Sequence, residues 1–219
     1  MAISISEPTA DTTDSSNTTS YAMGAFTPAA NCLLVVMVAT SDTVAAGSMS
    51  GGSLTWVKLN GPITNSTWSA YMFAAYTGPS PASCTPTFDC TGDAASGCLL
   101  ACFQVTVAAG NVVFIVQTQS STGSSVSPAS GTLAALGTGN AYMFGYVQSA
   151  KLATQNTPPT SWTEIADNAY TVPATGNGAM YRVGGETGTS ITATSATNNV
   201  WASTFIEVRE DTLMPGQIW

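Results

Sequence analysis

The sequence predicts an all-β protein: an antiparallel β-sandwich of jelly-roll-like form, built from two pseudo-repeated halves of five strands each. Three observations carry that expectation. Short runs rich in β-branched, aromatic and aliphatic residues recur along all 219 residues, with Gly, Pro and Asn turn signals between them. No stretch joins a clean 3.6-residue apolar period to helix caps; "GTLAALG" at 131–137 has helical composition but is short and bounded by glycine. One phrase is also written twice, as "LTWVKL" at 54–59 and "SWTEI" at 161–165.

In the first half, "ISIS" at 3–6 is a short strand, and "ADTTDSSNTTS" at 10–20 is a polar, acidic loop or arm. "CLLVVMVATS" (32–41), "LTWVKLN" (54–60), "WSAYMFAAY" (68–76) and "CLLACFQVTV" (98–107) are strands, separated by "GG" at 51–52, "NG" at 60–61 and "GPSP" at 78–81. The second half begins with "VVFIVQTQ" (112–119) and continues with "NAYMFGYVQS" (140–149) and "SWTEIAD" (161–167). It closes with "GAMYRVG" (178–184), "SITATSA" (190–196) and "VWASTFIEV" (200–208).

The halves, about 3–107 and 112–208, present these pieces in the same sequence order. "CLLVVMVATS" answers to "NAYMFGYVQS", "SAYMFAAYTG" to "GAMYRVGGETG", "CTPTFD" to "SITATS", and "CLLACFQV" to "VWASTFIEV". On this reading Phe103 matches Phe205. The join "VAAGNVVF" at 107–114 is a tight Gly-Asn turn between apolar runs, not a Pro/Ser linker. One domain over 1–208 is therefore expected, with 209–219 as a C-terminal tail. Trp56 and Trp162 hold matching places, so a structural role explains both, each with its indole N–H bonded. Trp68 and Trp201 also begin strands and are expected to be exposed.

Composition narrows the function. Hydrophobic residues make up 44%, enough to form a core rather than a disordered chain. Charged residues are 7%, against roughly 25% in an average domain, so Thr, Ser, Asn and Gly must cover the surface. Such a coat fits a secreted protein or a fixed part of an assembly better than a freely diffusing enzyme. The net charge of −8 leaves only Lys58, Lys151, Arg182 and Arg209 positive, which disfavours nucleic acid and anionic lipid as partners. "CLLVVMVA" at 32–39 is too short to span a bilayer. The first twenty residues have no positive n-region or apolar h-region, so synthesis in the cytosol is expected.

Chemistry is expected to be absent: no enzyme, no catalytic residues, no cofactor and no metal. There is no His, which removes the common general base and His-dependent triads. No P-loop or dinucleotide fingerprint occurs. Asp89/Asp93 and Glu207/Glu210/Asp211 are the acid groups a glycosidase would draw on, and Asp89 and Asp93 are the oxygens a loop calcium would use. Cys32, Cys84, Cys90, Cys98 and Cys102 make an odd set. Buried thiols, a Cys84–Cys90 bridge and a zinc site all stay open, with Cys98, Leu100 and Cys102 sharing one strand face. The tail "REDTLMPGQIW" carries Leu213, Met214, Ile218 and Trp219, the candidate partner contacts. It either folds back on its own sandwich or docks on a neighbour.

The phrases "FTPAANCLLVVMVAT", "GGSLTWVKL", "PPTSWTEI" and "AMYRVGG" closing on "FIEV" resemble a β-sandwich module of structural proteins of tailed bacteriophages, of the capsid decoration (cement) type. The resemblance implies a protein on the outer capsid surface of the virion, assembled in the host cytoplasm. It implies binding between capsomers, with the major capsid protein as partner and a homotrimer or other symmetric homo-oligomer as the working form. It brings no catalytic residues. A phage tail, fibre or glycan-binding adhesion module is the alternative, and a secreted carbohydrate-active domain a further one.

Overall fold

The computed structural model describes residues 3–90, 92, 93, 95–149, 156–171, 174–195 and 198–212. The first half of the chain supplies β1 (Ser4–Ser6), β2 (Thr12–Asp14), β3 (Ser20–Ala22), β4 (Leu33–Thr40) and β5 (Ser48–Ser50). It continues with β6 (Val57–Asn65), β7 (Trp68–Tyr76), β8 (Thr87–Asp89) and β9 (Cys98–Thr106). The second half supplies β10 (Asn111–Ser125), β11 (Ala141–Ser149), β12 (Asn156–Thr157), β13 (Thr163–Thr171), β14 (Ala174–Val183), β15 (Thr194–Ser195) and β16 (Asn199–Thr212). No helix occurs among the described residues. All ladders between named strands are antiparallel.

Two main sheets form the sandwich. Sheet I runs β1-β9-β4-β7-β6, with β2 also on β9; sheet II runs β10-β16-β11-β14-β13. Counted along the chain, both follow the order first, fifth, second, fourth, third. The registers correspond as well. Leu33 stands between Tyr76 and Val105, and Ala141 between Val183 and Val208. Both third strands carry a bulge, at Leu59 and at Ile165, each three residues after the tryptophan of the repeated phrase. Among the described residues no strand of one half enters the other half's main sheet. A jelly roll, with its paired Greek keys, would pass the chain between sheets; here one sheet is finished before the next begins.

Between the sheets lies one shared core. Leu33, Val35, Met72, Phe103 and Val105 from sheet I meet Met143, Ala179, Ile206 and Val208 from sheet II. The outer faces are covered too, so every residue of β4 and β11 is buried and their sequences read as continuous apolar runs. A small sheet, β3-β8-β5, lies over sheet I and packs Tyr21, Met49 and Phe88 on Val36, Tyr71 and Phe73. Over sheet II the cover is loop: Leu133, Leu136, Ile191 and Ala193 pack on Tyr142, Phe144 and Phe205. "GTLAALG" is thus extended cover, its two leucines facing the sheet.

This layering corrects one match. Phe103 points into the shared core, paired with Val35, whereas Phe205 points outward, paired with Phe144. The register counterpart of Phe103 is Ile206, and that of Phe205 is Cys102. A shift of one residue moves a side chain to the opposite face. Two boundaries also move. "SITATSA" contributes only the two-residue β15 and a bridge at Thr192. The last strand runs on to Thr212, opposite Asn111, so 209–212 belong to the sandwich.

Candidate functional site

The cysteines lie apart from any ligand chemistry. All five are buried free thiols, so the Cys84–Cys90 bridge is not formed. Cys90, Cys98 and Cys102 pack with Leu100 and Phe88 beneath the small sheet, Cys98 and Cys102 on the face they share with Leu100. Burial pushes each thiol up, Cys90 to about 11, away from the thiolate that a metal or an electrophile needs. Among the described residues no group of three or more His, Cys, Asp or Glu side chains is disposed to hold a metal ion.

The acids hold loops. Glu207, fully buried in β16, accepts from Gln117 Nε2 at 2.6 Å, Asn140 Nδ2 at 2.6 Å and the Gly137 amide at 2.9 Å. Its counterpart in sheet I is Gln104, which accepts from the Ala29 amide at 2.8 Å. The same loop, leading into β4 or β11, is clamped in both halves. Glu210 accepts from the Ala108 amide at 3.1 Å and from Asn111 Nδ2 at 2.6 Å, fixing the turn between the halves. Asp93 accepts from the Ala45 amide at 3.1 Å, and Asp89 stands in β8. Of the carboxylates named from sequence, Glu207, Glu210 and Asp211 lie on one strand, β16, and Asp89 on β8, and Glu207, Glu210 and Asp93 accept hydrogen bonds from neighbouring loops and turns.

The described cations are also engaged locally. Lys58 Nζ donates to Gly47 O at 3.3 Å and lies over the Tyr71 ring. Arg182 bonds Glu186 at 2.6 Å and the carbonyls of Gly184 and Gly185. Arg209 pairs with Asp211 at 3.0 Å and stacks on Phe114. Beside it a crevice of about 380 Å³ is lined by Gly139, Asn140, Arg209, Glu210 and Asp211.

Both repeated tryptophans cap an outer face. Trp56 packs under the small sheet and donates to Gly51 O at 3.1 Å; Trp162 packs on Tyr142 and donates to Glu186 Oε1 at 2.7 Å. Trp201, expected to be exposed, is buried and donates to Ser125 Oγ at 3.1 Å. Trp68, also expected to be exposed, packs on the cluster of Ala39, Ala70, Leu99, Val147 and Ala202. The polar stretch 10–20 is not a free arm: β2 pairs with β9, β3 with β8, and Tyr21 donates to Ala95 O at 2.5 Å. Leu213, Met214, Ile218 and Trp219 lie outside the described residues.

What stands out on the surface is apolar. Among the described residues, Val57, Tyr76, Phe114, Val116, Val126 and Val183 are the exposed large hydrophobics. Val57, Tyr76 and Val183 sit at one end of the sandwich, where β6 begins and β7 and β14 end. Thr212, the last described residue, stands at that same end. Sequence reasoning missed this end because each residue closes or opens an ordinary strand pattern; only the three-dimensional coincidence of strand ends brings them together.

No protein-family model matches the chain, and neither does any curated protein. Among solved structures the chain is similar to the crystal structure of the major capsid protein P2 from Bacteriophage PM2. That likeness has 9% identity and a TM-score of 0.27, and spans 99% of this chain and 100% of that one. At such a TM-score it carries no argument. What the geometry defines is a class: an antiparallel β-sandwich with both outer faces covered.

Proposed function

We propose that this chain is a structural protein of a phage virion, which decorates and stabilises the capsid by binding between capsomers on the outer surface. The observation that carries the reading is the contrast between body and coat. Two sheets share one core and have both outer faces covered, while the surface is polar, sparse in charged residues and apolar at one end. A body of this kind suits adhesion to a fixed partner better than turnover of a small molecule. Its partner is the major capsid protein. It works as a homotrimer or another symmetric homo-oligomer, in which weak contacts repeated by symmetry give tight attachment. The segment 213–219 and the end it leaves from are the attachment side.

Two measurements test this. The copy number in purified particles separates a decoration protein, present in hundreds, from a tail or fibre part, present in a few. Binding to undecorated shells is then compared for the full chain and a chain ending at Thr212. Residues 210–212 are kept because they belong to β16. Absence from particles sinks the reading, and equal occupancy by the shortened chain removes the tail from the attachment.

A further inference from the structure

The end of the sandwich at which β16 finishes has an apolar mouth. Tyr76 ends β7 and Val183 ends β14, at matching register positions beside Leu33 and Ala141. Two residues earlier on each strand, Ala74 and Tyr181 face the shared core. Side chains alternate along a strand, so Tyr76 and Val183 face the same way, at the mouth between the sheets. Val57, opposite Ala74 on β6, is on the same face. Tyr76, Val183 and Val57 are 53%, 43% and 54% exposed there. The tyrosine is held in place by its hydroxyl, which donates to Val113 O at 2.9 Å. On the outer face of sheet II at this end, Phe114 is exposed beneath the Arg209 guanidinium.

The described cations gather around this mouth. Lys58 follows Val57, Arg182 precedes Val183, and Arg209 lies on Phe114. Lys151 lies outside the described residues. Carboxylates stand among them: Glu186 bonds Arg182, Asp211 bonds Arg209, and Glu210 lies between Arg209 and Asp211 in β16. Elsewhere the described surface has carboxylates and none of these cations. Asp14, opposite the first residue of β9, and Asp42, bonded to the Ser96 amide, lie toward the other end of the sandwich. At a net charge of −8, two copies repel each other through most of what they present.

We infer that two copies of this chain meet end to end through the mouth, about a two-fold axis. An isologous contact sets a patch against itself, so the patch must be self-complementary. A patch of one sign repels its own copy, whereas this end carries both signs around an apolar centre. Its make-up is that of a protein interface: Tyr and Arg at an apolar middle with a polar rim. Burial of Val57, Tyr76 and Val183 from both copies drives the contact, and the rim charges set its orientation. The pair is the form of the free protein. A capsid, to which the decoration reading gives this same end, would displace one copy.

Sedimentation equilibrium of the full-length chain, with no shells present, decides it. A reversible dimer is expected. Val57→Asp and Val183→Asp each raise its dissociation constant roughly tenfold or more. Val126→Asp, at an exposed apolar position just past the other end of β10, leaves it unchanged. Arg209→Glu and Asp211→Arg each weaken pairing alone, and mixing the two chains restores it. Ending the chain at Thr212 leaves the dimer intact. A monomer at every concentration overturns the inference, and so does a dimer indifferent to the valine variants. A dimer lost with residues 213–219 overturns it as well, by assigning the contact to that segment. Circular dichroism confirms that each variant keeps its β structure; where a valine variant unfolds, the mixed charge variants, confined to exposed side chains, give the answer. Capsid binding plays no part in the readout, so this result and the decoration reading fail separately.

Discussion

At Met37 and Gly145 the two halves meet through one matched position, the fifth residue of β4 and of β11. A Cβ on Gly145 would stand 2.4 Å from Met37 Sδ. The bulk on one side thus fits the absence of a side chain on the other, and a void of only about 10 Å³ remains among the residues around them. Identical residues at both places would either collide or leave a hole. Gly145→Ala is predicted to cost about 1–3 kcal/mol through overpacking, offset in part by the smaller entropy of the unfolded chain. Met37→Ala alone costs about 2–5 kcal/mol by leaving a cavity. In the double variant the new methyl occupies part of that cavity, so the loss is smaller than the sum of the two by about 1 kcal/mol or more. Urea midpoints with unchanged slope measure all three; strict additivity would mean that the two residues do not pack on each other.

At the scale of elements, the open edges of the two sheets are joined by side chains. β6 ends sheet I and β10 ends sheet II, and no ladder joins them. Asn60 Nδ2 instead donates to Gln119 O at 3.1 Å, and Asn65 Nδ2 donates to Gly123 O at 2.9 Å and Trp201 O at 3.0 Å. Asn65→Ala is predicted to cost roughly 1–2 kcal/mol. Asn65→Asp costs more, because a carboxylate faces two carbonyls and offers neither a hydrogen; thermal melts near neutral pH rank the two. None of this clasp is legible in the chain: Asn60 reads as half of an Asn-Gly turn, whereas Asn60 and Gly61 lie within β6, and Asn65 carries no signal. The central strands are legible because burial on both faces leaves uninterrupted apolar runs such as those at Leu33–Thr40 and Ala141–Ser149, while edge strands such as β6 and β10, little buried, show only in part. β3, β5 and β8 do not read as strands, being three residues each and mostly Ser, Thr or Asp around one buried side chain. Their pairing arises from the need to cover Tyr71 and Phe73, a tertiary demand with little local trace. The repeated tryptophans are legible because they recur with their flanks; the mouth at Tyr76 is not, because strand ends converge only in space.

Across the whole molecule, buried thiols and phenols make the fold sensitive to alkali. Burial raises Cys90 from 9.0 to about 11, and Tyr21 and Tyr142 from 10.0 to about 12. The folded protein therefore keeps protons that the unfolded chain releases nearer 9 and 10. Their contribution is complete below about pH 9 and is lost as pH rises through the folded values. The urea midpoint is predicted to fall between about pH 9 and pH 12, with the thiols unreactive to a disulfide reagent until the chain unfolds; a flat profile would contradict the burial of these groups. The shared core sets how the molecule comes apart. Each half owns the cluster beneath its outer cover, but the inner faces of Phe103, Leu33 and Val105 and of Ile206, Met143 and Val208 are buried only by each other. Separating the sheets would expose both faces at once, together with the unpaired edges at β6 and β10, so neither half has a stable intermediate to stop at. Calorimetry is predicted to show a single transition whose van't Hoff and calorimetric enthalpies agree. Residues 1–108 expressed alone should aggregate or stay unfolded, and should gain β structure when mixed with residues 109–219. Two transitions, or a folded soluble half, would mean that the outer clusters suffice and that the chain is two domains in contact rather than one body.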